Sequence, residues 1–249
     1  MVKFLLLEEV DSTNSYVACN AGGLEDMTMV IADSQTAGRG QRGNSWESEP
    51  GCNLTFTLFH KPKGILPVDQ FAISEATALA VTDFLGTIGI RAEVKWPNDI
   101  YVDDRKIAGI LIEHAVTSSS IEHSRIGVGL NVNQKEFRSD APNPVSVAQL
   151  TGADTDISRV AAAVGECMAR RLALCGSSEG RRSLHSEFKE RLWRREGAHP
   201  FRRRDDGVEF RGVISDVDSR GPITITDVDT GSSSQYAFKE IEFLLNADS

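Results

Sequence analysis

Two short segments of the chain contain the residue types best suited to binding and activating an anionic ligand. The first, residues 38–43, reads GRGQRG, and its glycines allow the backbone to approach a ligand closely. Its two arginines offer guanidinium groups that match phosphate and carboxylate oxygens. The second, residues 95–99, reads KWPND and places a lysine at the end of a predicted strand, ahead of a turn.

The glycine-rich loop matches the pattern G-x-G-x-x-G literally, but its flank excludes a dinucleotide site. A Rossmann fingerprint requires a helix directly after the loop, whereas residues 44–51 read NSWESEPG and cannot form a buried crossover helix. The sequence contains no P-loop motif either. We therefore interpret the loop as one that can close over a ligand, with Trp46 stacking on a base or covering a pocket. A solvated surface loop is the plain alternative.

Two further segments allow both a functional and a structural interpretation. Lys95 can contact a carboxylate or phosphate, or it can be an edge-strand lysine that faces water. Residues 12–14, Ser-Thr-Asn, can be an ordinary helix N-cap or a set of short polar groups directed at a polar ligand. We interpret Trp96 as a core residue.

Composition limits the classes of function. The 249 residues include 27 Lys and Arg and 36 Asp and Glu, so the net charge is 27 − 36 = −9. An acidic chain is a poor candidate for general nucleic-acid binding, which relies on a positive surface, but it can still hold a local basic pocket for a small polyanion. The sequence shows no signal peptide and no run of the roughly 18 apolar residues that a membrane helix needs. The four cysteines have no C-x-x-C spacing, which predicts a reduced, cytoplasmic protein without a disulfide framework or zinc site.

Periodicity predicts an α+β fold followed by a small all-β module. Strands are predicted at residues 4–8, 27–32, 53–60 and 94–96, in a hairpin of 100–102 with 106–113, and as a strand pair within 121–132. Helices are predicted from 12 to 20, from 67 to about 86, over 156–175 and over 180–195. Beyond a boundary at residues 197–200, short strands at 208–213, 223–227 and 235–238 predict a β-barrel of about 50 residues.

Four motifs together resemble biotin protein ligases, and both their order and their spacing fit that family. They are DSTN at 11–14, SQTAGRGQRGNSW at 34–46, KWPNDIYVDDRKIAGILIE at 95–113 and GVGLNVN at 127–133. The resemblance is strong from Leu5 to Asn133 and looser towards the C-terminus. It implies a mixed sheet with helices, as in class II aminoacyl-tRNA synthetases, and a C-terminal SH3-like barrel. The expected domains are a catalytic domain at 1–196 and the barrel at 197–249.

The resemblance also implies an activity. The enzyme would join biotin to ATP, giving biotinyl-5′-adenylate and pyrophosphate, with Mg²⁺ assisting. It would then transfer the biotinyl group to one lysine of a biotin carboxyl carrier domain of acetyl-CoA carboxylase or a related enzyme. Some family members carry an N-terminal DNA-binding domain, but this sequence starts at the catalytic domain, so we expect no repressor activity and no DNA partner. A homodimer through residues 107–113 is possible in such a fold.

The resemblance assigns expected roles to individual residues, with no certain metal ligand. The catalytic residues would be Lys95, Arg39 and Asp99. The biotin site would comprise Ser12, Thr13, Asn14, Gln35, Gly38, Arg39, Gly40, Gln41, Lys95 and Gly109. The ATP site would comprise Arg39, Arg42, Trp46, Asn53, Lys95, Asn98, Lys106 and Asn131. Lys95 would contact the biotin carboxylate and the α-phosphate, and Asp99 would face the acceptor lysine or the metal.

One departure from the family pattern concerns Gln41, because several family members have arginine at this position. The change removes one anion contact from the loop.

Two alternative functions remain. They are a lipoate or octanoate ligase of the same fold and a non-catalytic biotin-binding module. A group of arginines is interpreted as a solvated surface or as a docking site for an acidic carrier domain; it consists of Arg191, Arg194, Arg195, Arg202, Arg203 and Arg204.

Overall fold

A seven-stranded mixed sheet supports the first half of the chain. The computed structural model describes residues 1–41, 45–138 and 143–245. The strands of this sheet are β1 (Lys3–Val10), β2 (Thr28–Gln35), β3 (Leu54–His60), β4 (Glu93–Lys95), β5 (Asp99–Val102), β6 (Arg105–Val116) and β7 (Ile121–Leu130). Their spatial order is β1-β2-β3-β7-β6-β5-β4. Only β1 and β2 pair in parallel within it, which confirms the predicted α+β fold with mostly antiparallel strands.

The prediction of a strand pair within 121–132 was wrong. β7 is a single strand that runs through Gly127 and Gly129 and pairs with β3 on one side and β6 on the other. The two glycines do not mark a turn; they mark positions where side chains from elsewhere lie against the strand.

Helices pack on both faces of the sheet. They are α1 (Thr13–Asn20), α2 (Phe71–Thr87), α3 (Val147–Thr151), α4 (Ile157–Leu174) and α5 (Ser178–Glu190). α1 lies on the face opposite α2 and α4. α2 packs against α4 and α5, and its apolar residues join those of β3 and β7 in one core. None of the helices in the described residues is long and apolar enough to cross a membrane.

The predicted helix over 180–195 was too long, because α5 ends at Glu190. The next residues run alongside β4, where the Val94 amide donates to Arg191 O (2.7 Å) and the Trp193 amide donates to Val94 O (2.9 Å). Arg194 then adopts a left-handed conformation with φ 58°. Sheet pairing thus replaces helical hydrogen bonds here, although the local sequence remains helix-compatible.

A second antiparallel sheet follows. Its strands are β8 (His199–Arg203), β9 (Glu209–Val217), β10 (Ile223–Asp227), β11 (Ser233–Tyr236) and β12 (Ile241–Phe243). Their order is β11-β10-β9-β8-β12, and within the described residues the two edge strands do not pair. The predicted module is therefore an open sheet and not a closed barrel. The sequence prediction missed β8, which overlaps the stretch interpreted as a boundary, and β12.

Trp96 joins the two sheets. Its indole N–H donates to Gly221 O in the second sheet (2.8 Å), and its ring packs against Phe238 and Phe243 with centroid distances of 6.2 and 6.5 Å. The ring is 5% exposed, as expected for a core residue. Because the apolar residues of both sheets form one core, the second sheet is held at a defined position beside the end of β4.

Candidate functional site

The start of α1 is a buried polar cluster. Ser12 caps the helix, and its hydroxyl accepts a backbone N–H of the first turn at 3.1 Å. The Thr13 amide donates to Oε1 of Gln35, at the end of β2 (2.8 Å), and the Thr57 hydroxyl donates to Oδ1 of Asn14 (2.6 Å). Since Ser12, Thr13 and Asn14 are 2–5% exposed and also line a cavity, the two interpretations of this segment do not exclude each other.

Three glycines of β6 and β7 make room for side chains above the sheet. A Cβ at Gly127 would lie 2.8 Å from Oδ1 of Asn14. A Cβ at Gly129 would lie 2.2 Å from the Trp46 ring, and one at Gly109 would lie 3.0 Å from the same ring. The Trp46 indole therefore rests directly on the backbone of the two strands, and only glycine at Gly129 permits this.

An ion pair lies across the hairpin of β5 and β6. Lys106 Nζ is 2.7 Å from Oδ1 of Asp99, and both side chains are about one-fifth exposed, at 22% and 21%. The same ammonium lies 5.8 Å from the centroid of the Trp46 ring. The Asn98 side-chain amide donates to Ile110 O (2.8 Å), which fixes the turn that leads into β5. The arrangement holds one cation and one carboxylate beside the indole.

Lys95 lies in a different environment. Its ammonium donates to the Tyr101 hydroxyl (2.9 Å) and is 5.7 Å from the centroid of the Trp193 ring. Burial lowers the pKa of Lys95, and the nearby Asp99 carboxylate opposes this shift. Burial also raises the pKa of Tyr101, so the phenol remains a neutral partner.

Two cavities adjoin at this point of the sheet. The first lies over β6 and β7 and is lined by the α1 cluster, the loop at 39–41 and the three glycines. The second lies between the two sheets, and its walls include Lys95 and Asn131 together with residues of the C-terminal segment. Six residues line both cavities: Gly40, Gln41, Trp46, Asn98, Asp99 and Lys106. A ligand in one cavity and a ligand in the other would therefore meet beside the Asp99–Lys106 pair.

Most of the residues predicted for the biotin site line the first cavity. They are Ser12, Thr13, Asn14, Gln35, Arg39, Gly40, Gln41 and Gly109. Gly38 supports the loop instead, because its carbonyl accepts the Trp46 amide (3.0 Å). Arg39 is exposed, and its guanidinium donates to the Ser15 hydroxyl. Lys95 lines only the second cavity, whereas Lys106, which was predicted for the ATP site, lines both.

The residues predicted for the ATP site do not all line the same cavity. Trp46, Lys95, Asn98, Lys106 and Asn131 line the second cavity. Asn53 lines neither cavity and is 3% exposed. Its Oδ1 accepts a hydrogen bond from the Val132 amide (2.9 Å), and its side-chain amide group donates to Gln134. Its contacts are those of a structural residue. Arg42 lies outside the described residues.

The sequence did not predict the residues that form one wall of the second cavity. This wall is lined by Arg204, which directly follows β8, and by Lys239 and residues 241–245. These residues form no motif with the first sheet, and only the docking of the second sheet brings them here. Tyr101 was also missed; it lies in β5, where residues 100–102 are all buried, so the strand has no alternation that would single it out.

The predicted arginine group is largely paired with carboxylates. Arg191 contacts Asp83 (2.7 Å), Arg194 contacts Asp104 (3.6 Å) and Arg202 contacts Glu209 (2.6 Å). Arg203 and Arg204 also have acidic partners. These pairs reduce the positive charge available to an acidic partner. Arg194 is buried, with its side chain 5% exposed, so it belongs neither to a solvated surface nor to a docking surface.

Within the ranges that the structure describes, no group of three or more His, Cys, Asp or Glu side chains is arranged to hold a metal ion. Mg²⁺ typically binds one or two carboxylates together with substrate phosphates and water. The Asp99 carboxylate, which lines both cavities, fits such a ligand.

Comparisons with known proteins agree with this geometry. A family model described as the biotin/lipoate A/B protein ligase family matches residues 6–131. The chain is 30% identical over 228 residues to a biotin–[acetyl-CoA-carboxylase] ligase of Paracoccus denitrificans, covering 88% of this chain and 92% of that protein. It is 34% identical over 140 residues to the bifunctional ligase/repressor BirA of Escherichia coli, covering 55% of this chain and 43% of BirA. The chain thus spans less than half the length of BirA.

Solved structures show the same fold. A biotin protein ligase from Aquifex aeolicus in complex with biotin and ATP matches with a TM-score of 0.81 and 22% sequence identity, covering 99% of this chain and 100% of that one. A biotin protein ligase from Leishmania major in complex with biotin matches with a TM-score of 0.60 and 24% identity, covering 95% of this chain and 98% of that one. At this level of identity, the match is evidence for the fold alone.

The packing of the Trp46 ring on the backbone of β6 and β7 gives a direct prediction. In Gly129→Ala the new Cβ would lie 2.2 Å from the ring, so the indole must leave the sheet, whereas Gly109→Ala creates a 3.0 Å contact that a small shift relieves. We expect acrylamide quenching of tryptophan fluorescence to increase in Gly129→Ala and to change little in Gly109→Ala. In a Trp46→Phe background the increase should disappear. Unchanged quenching in Gly129→Ala, with the circular dichroism spectrum intact, would contradict the packing described.

Proposed function

This chain belongs to the biotin/lipoate A/B protein ligase family, and we propose that it is an ATP-dependent biotin protein ligase. In the first step a biotin carboxylate oxygen attacks the α-phosphorus of ATP; the bond to the β-phosphate oxygen breaks, and pyrophosphate leaves with its electron pair. In the second step a lysine amine of a biotin carboxyl carrier domain attacks the carbonyl carbon of biotinyl-5′-AMP. An amide forms, and AMP leaves.

The observation that carries the proposal is the junction of two chemically different cavities. The first presents neutral hydrogen-bonding groups from Ser12, Thr13, Asn14 and Gln35, which suit the uncharged ureido ring of biotin. The second combines aromatic side chains with lysine and arginine, which suits a nucleotide and its phosphates. Lys106 lies where a carboxylate from one side and an α-phosphate from the other would meet.

Adenylate formation requires two anions to react with each other. A fixed cation offsets their repulsion and stabilises the charge that develops at phosphorus. Lys106 is our candidate for this role, with the Arg39 guanidinium of the loop as a second cation. Asp99 contributes by holding the Lys106 ammonium in position. Lys95, which was predicted for this role from the sequence, is now proposed to contact the nucleotide in the second cavity.

Transfer of the biotinyl group requires an acceptor amine without its extra proton. A free lysine has a pKa near 10.4, so a base at the site raises the fraction of reactive amine. Asp99 is our candidate base, since its carboxylate lines both cavities. When the loop at 38–41 closes over the adenylate, it protects the mixed anhydride from water.

The nucleotide is proposed to lie in the second cavity. Trp46 and Asn131 would flank the adenine, and Asn98 would approach the phosphates. Asn131 is well fixed for this purpose, because its side-chain amide donates to Val145 O (3.0 Å). Bound Mg²⁺ would neutralise phosphate charge.

A lipoate or octanoate ligase is less well supported by the first cavity. An octanoyl chain has no group that can hydrogen-bond to the buried side chains of Ser12, Thr13 and Asn14. These side chains already have hydrogen-bond partners within the protein, so an octanoyl chain would leave none of them unpaired but would gain no polar contact from them. The family description includes lipoate ligases, so both substrates belong in the test.

The proposal extends to partners and location. The acceptor is proposed to be a carrier domain of acetyl-CoA carboxylase or a related biotin-dependent enzyme, and DNA is not proposed as a partner. A homodimer is proposed at the outer edge of β6, because β5 pairs only with residues 105–109 of that strand in the described part of the chain. The free thiols of the four cysteines support a cytoplasmic location.

ATP–pyrophosphate exchange tests the proposed activity. We expect exchange of labelled pyrophosphate into ATP only when biotin is present, because exchange requires reversible adenylate formation. Exchange with lipoate or octanoate, but not with biotin, would move the chain to the alternative activity. Absence of exchange with all three acids would support a non-catalytic binding module.

The two lysines should differ in their kinetic effects. Lys106→Ala removes the cation between the cavities, and we expect the exchange kcat to fall by about 100-fold or more, as for loss of one donor that stabilises developing charge. Lys95→Ala should mainly raise the KM for ATP. Thermal unfolding of both variants controls for the fold. A larger loss of kcat in Lys95→Ala than in Lys106→Ala would restore the role first assigned to Lys95.

Gln41 should limit retention of the adenylate, because it is a neutral residue that lines both cavities. Gln41→Arg adds a cation beside the expected phosphate, and a charge-assisted hydrogen bond is worth about 1.5–3 kcal/mol. We therefore expect biotinyl-5′-AMP to dissociate about tenfold more slowly or slower still. Release of labelled adenylate after gel filtration measures this rate, with Gln41→Ala as the uncharged comparison. Equal rates in all three proteins would show that this side chain does not contact the intermediate.

A further inference from the structure

The two lysines of the site are held by different kinds of partner. Lys106 forms an ion pair with Asp99 at 2.7 Å. Lys95 donates to the Tyr101 hydroxyl (2.9 Å), and within the part of the chain that the structure describes its ammonium forms no ion pair with a carboxylate. The charge of Lys95 is therefore available to a ligand, and the groups that fix its side chain are neutral.

Two aromatic rings lie beside the Lys95 ammonium. Its Nζ is 4.6 Å from the centroid of the Tyr101 ring and 5.7 Å from the centroid of the Trp193 ring. The two rings also contact each other, with their centroids 5.1 Å apart. Tyr101 is 0% exposed and Trp193 is 3% exposed, so neither ring is free to move away. An aromatic face attracts a cation at such distances without neutralising it.

Hydrogen bonds to the main chain anchor the Trp193 ring. Its indole N–H donates to Asp103 O in the turn between β5 and β6 (2.8 Å), and its backbone amide donates to Val94 O (2.9 Å). The Arg194 guanidinium lies 4.0 Å from the centroid of the same ring. Trp193 is thus tied to the strand that carries Lys95 and to the hairpin that carries Tyr101, which fixes both neighbours of the ammonium.

The charged groups around Lys95 have both signs. Burial lowers the pKa of Lys95, and the carboxylates of Asp99 and Glu242 oppose this shift. The cations of Lys106 and Arg194 reinforce it. Because these charges act against each other, they do not hold the ammonium at one point. The short contacts to the phenol and to the two rings do.

We propose that Tyr101 and Trp193 are positioning residues that hold the Lys95 ammonium in place for the nucleotide. The inference rests on the proposed function, in which Lys95 contacts ATP in the second cavity. Tyr101 is fully buried and Trp193 lines neither cavity, so both would act through the lysine and not on the ligand itself. A lysine that is already fixed loses less side-chain freedom when ATP binds, which strengthens binding.

Tyr101→Phe in the full chain tests the role of the hydroxyl, because it keeps the ring and removes only the acceptor of the Lys95 hydrogen bond. In biotin-dependent exchange we expect the KM for ATP to rise about tenfold, as for loss of one hydrogen bond to a charged group. The kcat and the KM for biotin should not change. Tyr236→Phe is the matched control, since Tyr236 is a buried tyrosine of β11 that lines neither cavity. It should match the wild type.

A double-mutant cycle with Lys95→Met separates positioning from a merely structural role. If Tyr101 acts through Lys95, adding Tyr101→Phe to Lys95→Met should not raise the KM for ATP further. Trp193→Phe removes the indole N–H that anchors the ring, and it should raise this KM in the wild type but not in Lys95→Met. Thermal unfolding of each variant shows that the fold is kept. Additive increases in both cycles, or an unchanged KM for ATP in both single variants, would overturn the proposal.

Failure of the proposed function would be visible separately. If the wild type shows no exchange with biotin, calorimetric titration with a non-hydrolysable ATP analogue measures the same cycles as affinities. Weaker binding in Tyr101→Phe that disappears in the Lys95→Met background would support the positioning role in a protein with another activity. Equal affinity in the wild type, Tyr101→Phe and Trp193→Phe would reject it, and no binding of the analogue by the wild type would overturn both proposals.

Discussion

The Asp99–Lys106 ion pair is the interaction on which the arrangement of the site depends. Both charges are partly withdrawn from water, and each offsets the desolvation of the other across 2.7 Å. The pair stands on a tight hairpin in which Asp99 lies opposite Gly109 of β6. Because the hairpin fixes the pair at the boundary of two cavities, both a cation and a carboxylate are available where two ligands would meet.

A single strand holds both the core and the site in place. Along β3, Leu54, Phe56 and Leu58 enter the core shared with α2, while Thr57 on the other face hydrogen-bonds to the α1 cluster. The alternation of the strand therefore separates an apolar face from a polar one. A change that shifts the register of β3 would move the core and the polar cavity together.

Local patterns predicted most of the first sheet. The hairpin of β5 and β6 was predicted correctly because alternation and the turn at Asp103 are signals within a few residues of each other. The end of α5 was not, since it depends on pairing of residues 191–193 with β4, far away in the sequence. β12 was missed because three residues give too short a pattern to recognise.

Residues of the candidate site that belong to short sequence motifs could be predicted. Residues that reach the site only because the second sheet packs against the first could not. The α1 cluster and the loop at 39–41 were predicted from short motifs. That Lys106 lines both cavities and Lys95 only the second could not be predicted, because it depends on which strand residue faces which cavity. Asn53 resembles a ligand residue in sequence, but the Val132 amide and Gln134 engage its side chain. Only three-dimensional contacts distinguish these cases.

The second cavity links the stability of the fold to the proposed chemistry. Its cations lie on both walls, with Lys95 and Lys106 on the side of the first sheet and Arg204 and Lys239 on the side of the second. Like charges across a gap oppose docking of the two sheets, whereas the Trp96 hydrogen bond and the shared apolar core favour it. A polyphosphate between the walls would replace repulsion with attraction on both sides. Nucleotide binding and sheet docking would then strengthen each other, because a ligand that binds only the docked state stabilises that state.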